Sequence, residues 1–345
     1  WLRDNEPQNA AKVAAVALPH DWLTWRLRGF GPTGEADFGP DFNELKTDRS
    51  DASGTGYFNS ETNEYDLELL ESALGKICAL PKVLAAGESA GTDAAGRVYG
   101  AGAGDNAGAA LGLALNPGDI AVSIGTSGTV FTSAETPTKD LTGTIAGFAD
   151  ATDNFLPIGV TLNAARILKS ATDLLGVTFD ELSYLALQAK PGSEGLVLVP
   201  YFEGERTPNL PNAQGSIHGL TLQSGTRANF ARAYIEGMLC GLSYGLDALI
   251  AQGARAERIL LIGGGAQNHA VQQIAATIFN LAIEVPEVSE YVAEGASVQA
   301  AWTLTGSKPN WQPKMQTRIE ATPVRAVRER YQLFSSAAQK SALNH

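Results

Sequence analysis

The sequence predicts a mixed α/β protein of two packed domains, and three observations carry that prediction. The chain has 345 residues, beyond the size at which a single hydrophobic core keeps growing. Short apolar runs bounded by glycine and proline alternate with longer segments of helical period. Glycine-rich turns follow two of the apolar runs, as strand-to-helix or hairpin connections require.

Along the chain, Ala11–Ala17 and Pro19–Leu27 read as two short amphipathic helices around a proline break. Residues Gly29–Glu44 turn to Gly, Pro, Asp and Phe without periodicity, which predicts a surface excursion, and Tyr65–Leu80 reads as helix again. Glycine and alanine dominate from Gly87 to Gly108 and lead into a small-residue helix over Ala107–Leu115, stopped by Asn116, Pro117 and Gly118. The alternation Ile120, Val122, Ile124, then Gly125, Thr126, Ser127 and Gly128, then Val130 and Phe131, predicts a hairpin that opens a second unit. Helices are expected over Leu162–Leu175 and Phe179–Ala189, and a buried strand within Gly195–Pro200. Arg227–Leu249 has helical spacing, with Gly237, Gly241 and Gly245 making one face small enough for another helix to approach. Arg258–Ile262 reads as a strand, Gly263–Ala266 as a turn, and Val271, Ile274, Ala275 and Ile278 as the buried stripe of a helix.

Composition narrows the function classes. A chain 44% hydrophobic and 18% charged, with 37 glycines, is neither disordered nor collagen-like. A net charge of −12 repels nucleic acid and anionic lipid surfaces, so neither is an expected partner. Two cysteines, Cys78 and Cys240, build no disulfide framework and are expected as buried thiols of a cytoplasmic protein. The sequence shows no leader pattern and no long uncharged stretch, which argues against export or a membrane span.

Glycine turns beside helix starts expose backbone N–H groups suited to phosphate. Gly125-Thr126-Ser127-Gly128 is one candidate and Gly263-Gly264-Gly265-Ala266 another, and each reads equally well alone as an ordinary tight turn. Asp105 and Asn106, in a run of Gly and Ala, present an acid and an amide with few competing side chains. The same pair would serve as a helix N-cap without any chemistry. His20, His218, His269 and His345 lack metal-ligand spacing, and the serines suggest no hydrolase. GAGAGDNAG has the look of a dinucleotide fingerprint, but only Val98 and Tyr99 precede it as an apolar stretch.

Together, GAGDNAGAALG, SIGTSGTV, EGERTPNLPNAQGSIHGL, LLIGGGAQNHAVQQIAA and EYVAEGASVQAAW, in this order, resemble the FGGY family of carbohydrate kinases, and within it the xylulokinases. The family's second signature is recognisable from Gly215 to Glu236, with Tyr234 bulkier than usual. The resemblance implies the two-lobed, actin-like (ribonuclease H-like) ATPase fold of sugar kinase type. Residues 1–117 would be the remaining part of an N-terminal sugar-binding lobe, and 118–345 a C-terminal ATP-binding lobe. It implies Asp105 as catalytic base and sugar ligand, Asn106 as sugar ligand, Gly125, Thr126 and Ser127 as the second phosphate motif, and Gly264, Gly265 and Ala266 as the adenosine motif. ATP and Mg2+ would be the cofactors and D-xylulose the acceptor, giving D-xylulose 5-phosphate. Gluconate, ribulose, glycerol or a pentitol remain alternative acceptors, a non-catalytic nucleotide or sugar sensor is an alternative role, and a homodimer is admissible. No magnesium ligand is assigned. Because Trp1-Leu2-Arg3-Asp4-Asn5 matches the interior of the family's first signature, about a hundred residues of the first lobe are expected upstream, a size inferred from ordinary domain lengths.

Overall fold

The expected hairpin forms and seeds the largest sheet. In the computed structural model, which describes residues 1–342, seven strands build it: β1 (Gly118–Ile124), β2 (Gly128–Thr132), β3 (Ala146–Ala149), β4 (Phe155–Thr161), β5 (Ala256–Ile262), β6 (Ala282–Pro286) and β7 (Met315–Ile319). Their order is β7-β6-β5-β1-β2-β4-β3. The centre, β1, β5 and β6, is parallel, while β7 at one edge and β2, β4 and β3 on the other side run antiparallel to their neighbours.

Period-two alternation divides the strands between two helical layers. Ile120, Val122, Ile124, Ile259 and Leu261 pack with Ile167, Leu168, Ile235, Met238, Val271 and Ile274 of the helices Ala165–Leu175, Arg227–Ala251 and His269–Ile278. On the other face Ala121, Phe131, Leu156, Ile158, Leu260 and Ile262 share a cluster with Ala109, Ala110 and Leu113. The helix Asp105–Gly112 therefore lies on the second unit's sheet, although it precedes the boundary expected at residue 117.

The small face of Arg227–Ala251 meets mostly strands. A Cβ at Gly237 would come within 2.5 Å of the Leu198 carbonyl in the strand Val197–Val199, and Gly245 faces Val130 of β2, whereas Gly241 lies opposite Tyr331 of the helix Arg325–Ala342. The expected helix–helix approach is thus largely a helix–strand approach. Arg232 and Glu236, both buried, form an ion pair at 2.7 Å within this helix.

The first unit has only two-stranded pairings, among them Lys46–Asp48 parallel to Lys82–Leu84. Helices form at Pro7–Lys12, Pro19–Leu27 and Leu67–Leu74. Val13–Ala17 is not helical, because Ala15 bridges to Ala79 and Val16 N–H donates to the Ala79 carbonyl. Leu67–Leu74 ends earlier than expected at Gly75, which takes φ +86°, a left-handed stop that glycine permits. Arg49 ties the two units together, donating to the carbonyls of Thr152 at 3.1 Å and Asn154 at 2.8 Å. Cys240 is buried, Cys78 only half-buried, and both are free thiols. Among the described residues no helix is long and apolar enough to cross a membrane.

Candidate active site

Asp105 opens the helix Asp105–Gly112, with Gly104 as the extended residue before it, so it is the first helical residue and not the cap. Its Oδ1 accepts from Asn106 N at 2.7 Å and Asn106 Nδ2 at 2.9 Å. The carboxylate stays exposed and faces a cavity of about 240 Å³ shared with Ser50, Asp51, Asn106, Phe148 and Arg206.

Side chains from three distant segments hold the loop that presents it. Gln299, buried in the helix Tyr291–Thr305, grips the Gly102 backbone twice, accepting from its N–H at 2.8 Å and donating to its carbonyl at 2.5 Å. Ser50 Oγ accepts from Gly104 N at 3.0 Å. His20 lies under Gly102, whose φ of +93° and lack of space (a Cβ would meet His20 Nδ1 at 2.4 Å) require glycine. The helix itself approaches Tyr291–Thr305 backbone to backbone, since a Cβ at Gly112 would lie 2.1 Å from the Tyr291 carbonyl and one at Gly295 1.9 Å from that of Gly108.

His20 is surrounded by acids. Its Nδ1 is 3.2 Å from Asp21, and its Nε2 is 3.3 Å from Asp48 and 3.1 Å from Asp51. Burial pulls its pKa down, but the Asp48 and Asp51 carboxylates outweigh burial and push it up to about 10, so the ring is a cation at neutral pH. Burial raises the Asp21 carboxyl to about 6 against the opposing pull of His20.

A second cavity, about 450 Å³, lies between the two glycine turns. Gly125, Thr126, Gly264 and Gly265 line it together with Gln267, Asn268, Phe179, Asp180 and the first residues of the helix Ala165–Leu175. Ala165 N–H donates to the Gly125 carbonyl at 2.8 Å, which sets that helix start beside the turn. Gly264 is open, with nothing within 4 Å of a built Cβ, whereas one at Gly265 would come within 2.3 Å of Ile124 Cγ2.

Residues 120–304 match the C-terminal domain of the FGGY family of carbohydrate kinases, and residues 1–112 match its N-terminal domain. The chain belongs to this family. It is 40% identical over 318 residues to the xylulose kinase of Streptomyces rubiginosus, covering 90% of this chain and 61% of that protein. It is 33% identical over 316 residues to the xylulose kinase of Haemophilus influenzae, covering 88% and 61%. The chain thus spans about three fifths of the length of these curated relatives. The crystal structure of xylulose kinase from Bifidobacterium adolescentis superposes with a TM-score of 0.90 at 43% identity, covering 97% of this chain and 71% of that one. A glycerol kinase from Plasmodium falciparum with ADP, at 18% identity and TM-score 0.79, shares the fold, with 100% and 70% covered. The expected two-lobed, actin-like kinase architecture is therefore the family's own.

Within this FGGY chain, Asp105 and Asn106 come together on one cavity, and Gly125, Thr126, Gly264 and Gly265 on another. Ser127 is exposed outside the lining. Ala266 is fully buried in the core, and its carbonyl accepts from Gln272 Nε2. Sequence reasoning missed Gln299, Arg206, Gln267 and Asn268, which lie inside the segments that carry the resemblance but among residues of ordinary loop and helix type, and the His20 cluster, whose acids at 48 and 51 are far away in the chain. Of the histidines, His218 stacks on Phe334 at 4.3 Å and His345 lies outside the described residues. Gly87-Glu88-Ser89-Ala90-Gly91 does have the G-x-S-x-G spacing of a hydrolase elbow. It is not a strand-to-helix elbow: Ser89 lies in irregular backbone before the strand Gly91–Thr92, its hydroxyl accepting from Gly91 N and facing the Gly91 and Tyr99 carbonyls.

Proposed function

We propose that the protein carrying this chain is an ATP-dependent sugar kinase that phosphorylates D-xylulose to D-xylulose 5-phosphate. The observation that carries the reading is the pairing of an exposed carboxylate at a helix start with a separate cleft between two glycine turns. The relatives named xylulose kinase support the acceptor. Residues 1–117 would supply part of the sugar side and 118–345 the nucleotide side, with the Asp105 helix resting on the latter's sheet.

Asp105 would accept the sugar hydroxyl's proton through Oδ2, which makes no hydrogen bond among the described residues, while Asn106 fixes Oδ1 and contacts the sugar. The Gly125–Ser127 turn would offer backbone N–H groups and the Thr126 hydroxyl to the terminal phosphates. Open Gly264 and the backbone at Gly265 would lie flat against the adenosine, with Gln267 and Asn268 supplying polar contacts. Magnesium would arrive with the nucleotide and neutralise its phosphates. Among the described residues no group of three or more His, Cys, Asp or Glu is arranged to hold a metal ion, the acids around His20 being turned to its ring.

The test is ADP release by the intact gene product with D-xylulose, D-ribulose, D-gluconate, glycerol and D-arabinitol. Highest kcat/KM with D-xylulose is expected. A higher value with another acceptor replaces the substrate, and ATP binding without turnover on any of them establishes a sensor instead.

A further inference from the structure

Arg206 is a cation that the site described so far does not use. It lines the cavity that holds Asp105 and Asn106, is exposed, and its guanidinium makes no hydrogen bond or ion pair among the described residues. Arg28 pairs with Glu44, Arg232 with Glu236, and Arg258 with both Asp119 and Glu284; Arg255 and Arg325 are exposed without an ion pair among the described residues, but neither lines this cavity. A guanidinium left free in the lining of the cavity that holds Asp105 and Asn106, in a chain with 37 acidic and 25 basic residues, is poised for an anion that is not part of the chain.

The backbone beneath it is fixed. Glu205, 2% exposed, accepts from Thr161 Oγ1 at 2.6 Å, Leu162 N at 2.8 Å, Asn163 Nδ2 at 3.0 Å and Arg206 N at 2.7 Å. Glu205 and Leu210 exchange backbone hydrogen bonds at 2.9 and 2.8 Å, closing the turn. Thr161 in turn pairs in register with Gly128, the residue that ends the Gly125–Ser127 turn. One buried carboxylate therefore couples the segment bearing Arg206 to the strand beside the phosphate turn, while the side chain faces the cavity of Asp105.

We propose that Arg206 binds the phosphoryl group in transit, its guanidinium touching the phosphoryl oxygens in the transition state and in the phosphorylated sugar. The proposal rests on the kinase reading above. In the transfer the sugar hydroxyl oxygen bonds to the γ-phosphorus and its proton passes to Asp105. The bond from that phosphorus to the β,γ-bridging oxygen breaks, and its electron pair leaves with ADP. Negative charge stays on the equatorial oxygens throughout, where a planar donor on a fixed turn stabilises it without reorganisation.

The experiment compares wild type, Arg206→Ala and Arg206→Lys of the intact gene product by kcat, by calorimetric affinity for D-xylulose and for D-xylulose 5-phosphate, and by rescue with added guanidinium. For Arg206→Ala a kcat loss of about 100-fold or more is expected, the usual effect of removing one preorganised donor, with about 10-fold weaker D-xylulose 5-phosphate binding, unchanged D-xylulose binding and partial recovery of turnover in guanidinium. Arg206→Lys retains an intermediate kcat. An active wild type with an unaffected Arg206→Ala overturns the proposal alone, as does equal weakening of sugar and sugar phosphate, which marks a structural role for the turn. A wild type inactive on every acceptor of the panel overturns the kinase reading and the proposal with it.

Discussion

The cleft between the Thr126 and Gly264 turns has glycine backbone on two of its sides, whereas the loop presenting Asp105 is held by side chains reaching from residues 20, 50 and 299. Backbone walls depend on where a Cβ can fit, so their tolerance is set residue by residue. Side-chain clamps depend on polar pairs, so their failure is graded and sensitive to protonation. Substitutions on each side should accordingly fail in different ways.

The largest effect is expected where the backbone wall meets the core. Gly265→Val drives its new side chain into Ile124, the last residue of β1 and fully buried. Overpacking there should cost about 3 kcal/mol and lower thermal stability together with all activity. Gly264→Val, one residue away and open to the cavity, should keep the melting temperature and raise KM for ATP about 10-fold with KM for the sugar unchanged. Equal stability of the two variants would remove the distinction between wall and core.

Asp105→Asn tests the other side. It keeps shape and the exposed position while removing proton affinity, so kcat should fall about 100-fold or more with the fold and ATP affinity intact. Turnover near the wild-type value would place the base elsewhere.

The same contrast explains what the sequence makes legible. Gly125–Gly128 and Gly263–Gly265 stand out as glycine clusters at strand ends, where Gly263 takes φ +89° and Gly128 and Gly265 leave no room for a Cβ, and local spacing records those needs. The sheet was readable for the same reason, through the alternation of Ile120, Val122 and Ile124. Asp105 was readable as a lone acid in a run of Gly and Ala. His20 and Gln299 were not, because each acts on residues far away in the chain, 197 positions in the case of Gln299 and Gly102, and Arg206 was not, because the cavity it lines is assembled from distant segments. Val13–Ala17 misled for a related reason: its apolar residues suit a helix, but a partner at Ala79 takes the backbone hydrogen bonds first.

The His20 cluster makes the side-chain clamp sensitive to pH. With its pKa raised to about 10 from an unfolded value of 6.5, the His20 cation stabilises the folded state fully below about pH 6.5, and this stabilisation is lost as pH rises through 10. Asp21, raised to about 6, disfavours the folded state once ionised, but that change is nearly complete by pH 7 and leaves most of the fall between pH 7 and pH 9 to His20, with the Cys78 and Cys240 thiols, both raised by burial, adding a smaller share near pH 9. Stability should therefore fall by about 2 kcal/mol between pH 7 and pH 9, read from urea midpoints. His20→Gln should be less stable at pH 7 and lack most of that slope; a full slope kept in the variant would assign the titration to another group.

Gln299→Ala is the mildest of these changes and the one that separates holding from chemistry. It removes both hydrogen bonds to Gly102 and leaves that backbone N–H and carbonyl to find water in a loop that the helix Tyr291–Thr305 otherwise covers. Losing two such bonds should cost about 1–2 kcal/mol of stability. Because Asp105 follows Gly102 by three residues, the loosened loop should also misplace the carboxylate, lowering kcat about 5-fold while KM for ATP stays constant. Nothing at the Gly264 turn touches Gln299, so an ATP effect as large as the kcat effect would show that the two cavities move as one. A pure stability loss with normal kcat would show that Ser50 and His20 are enough to hold the loop.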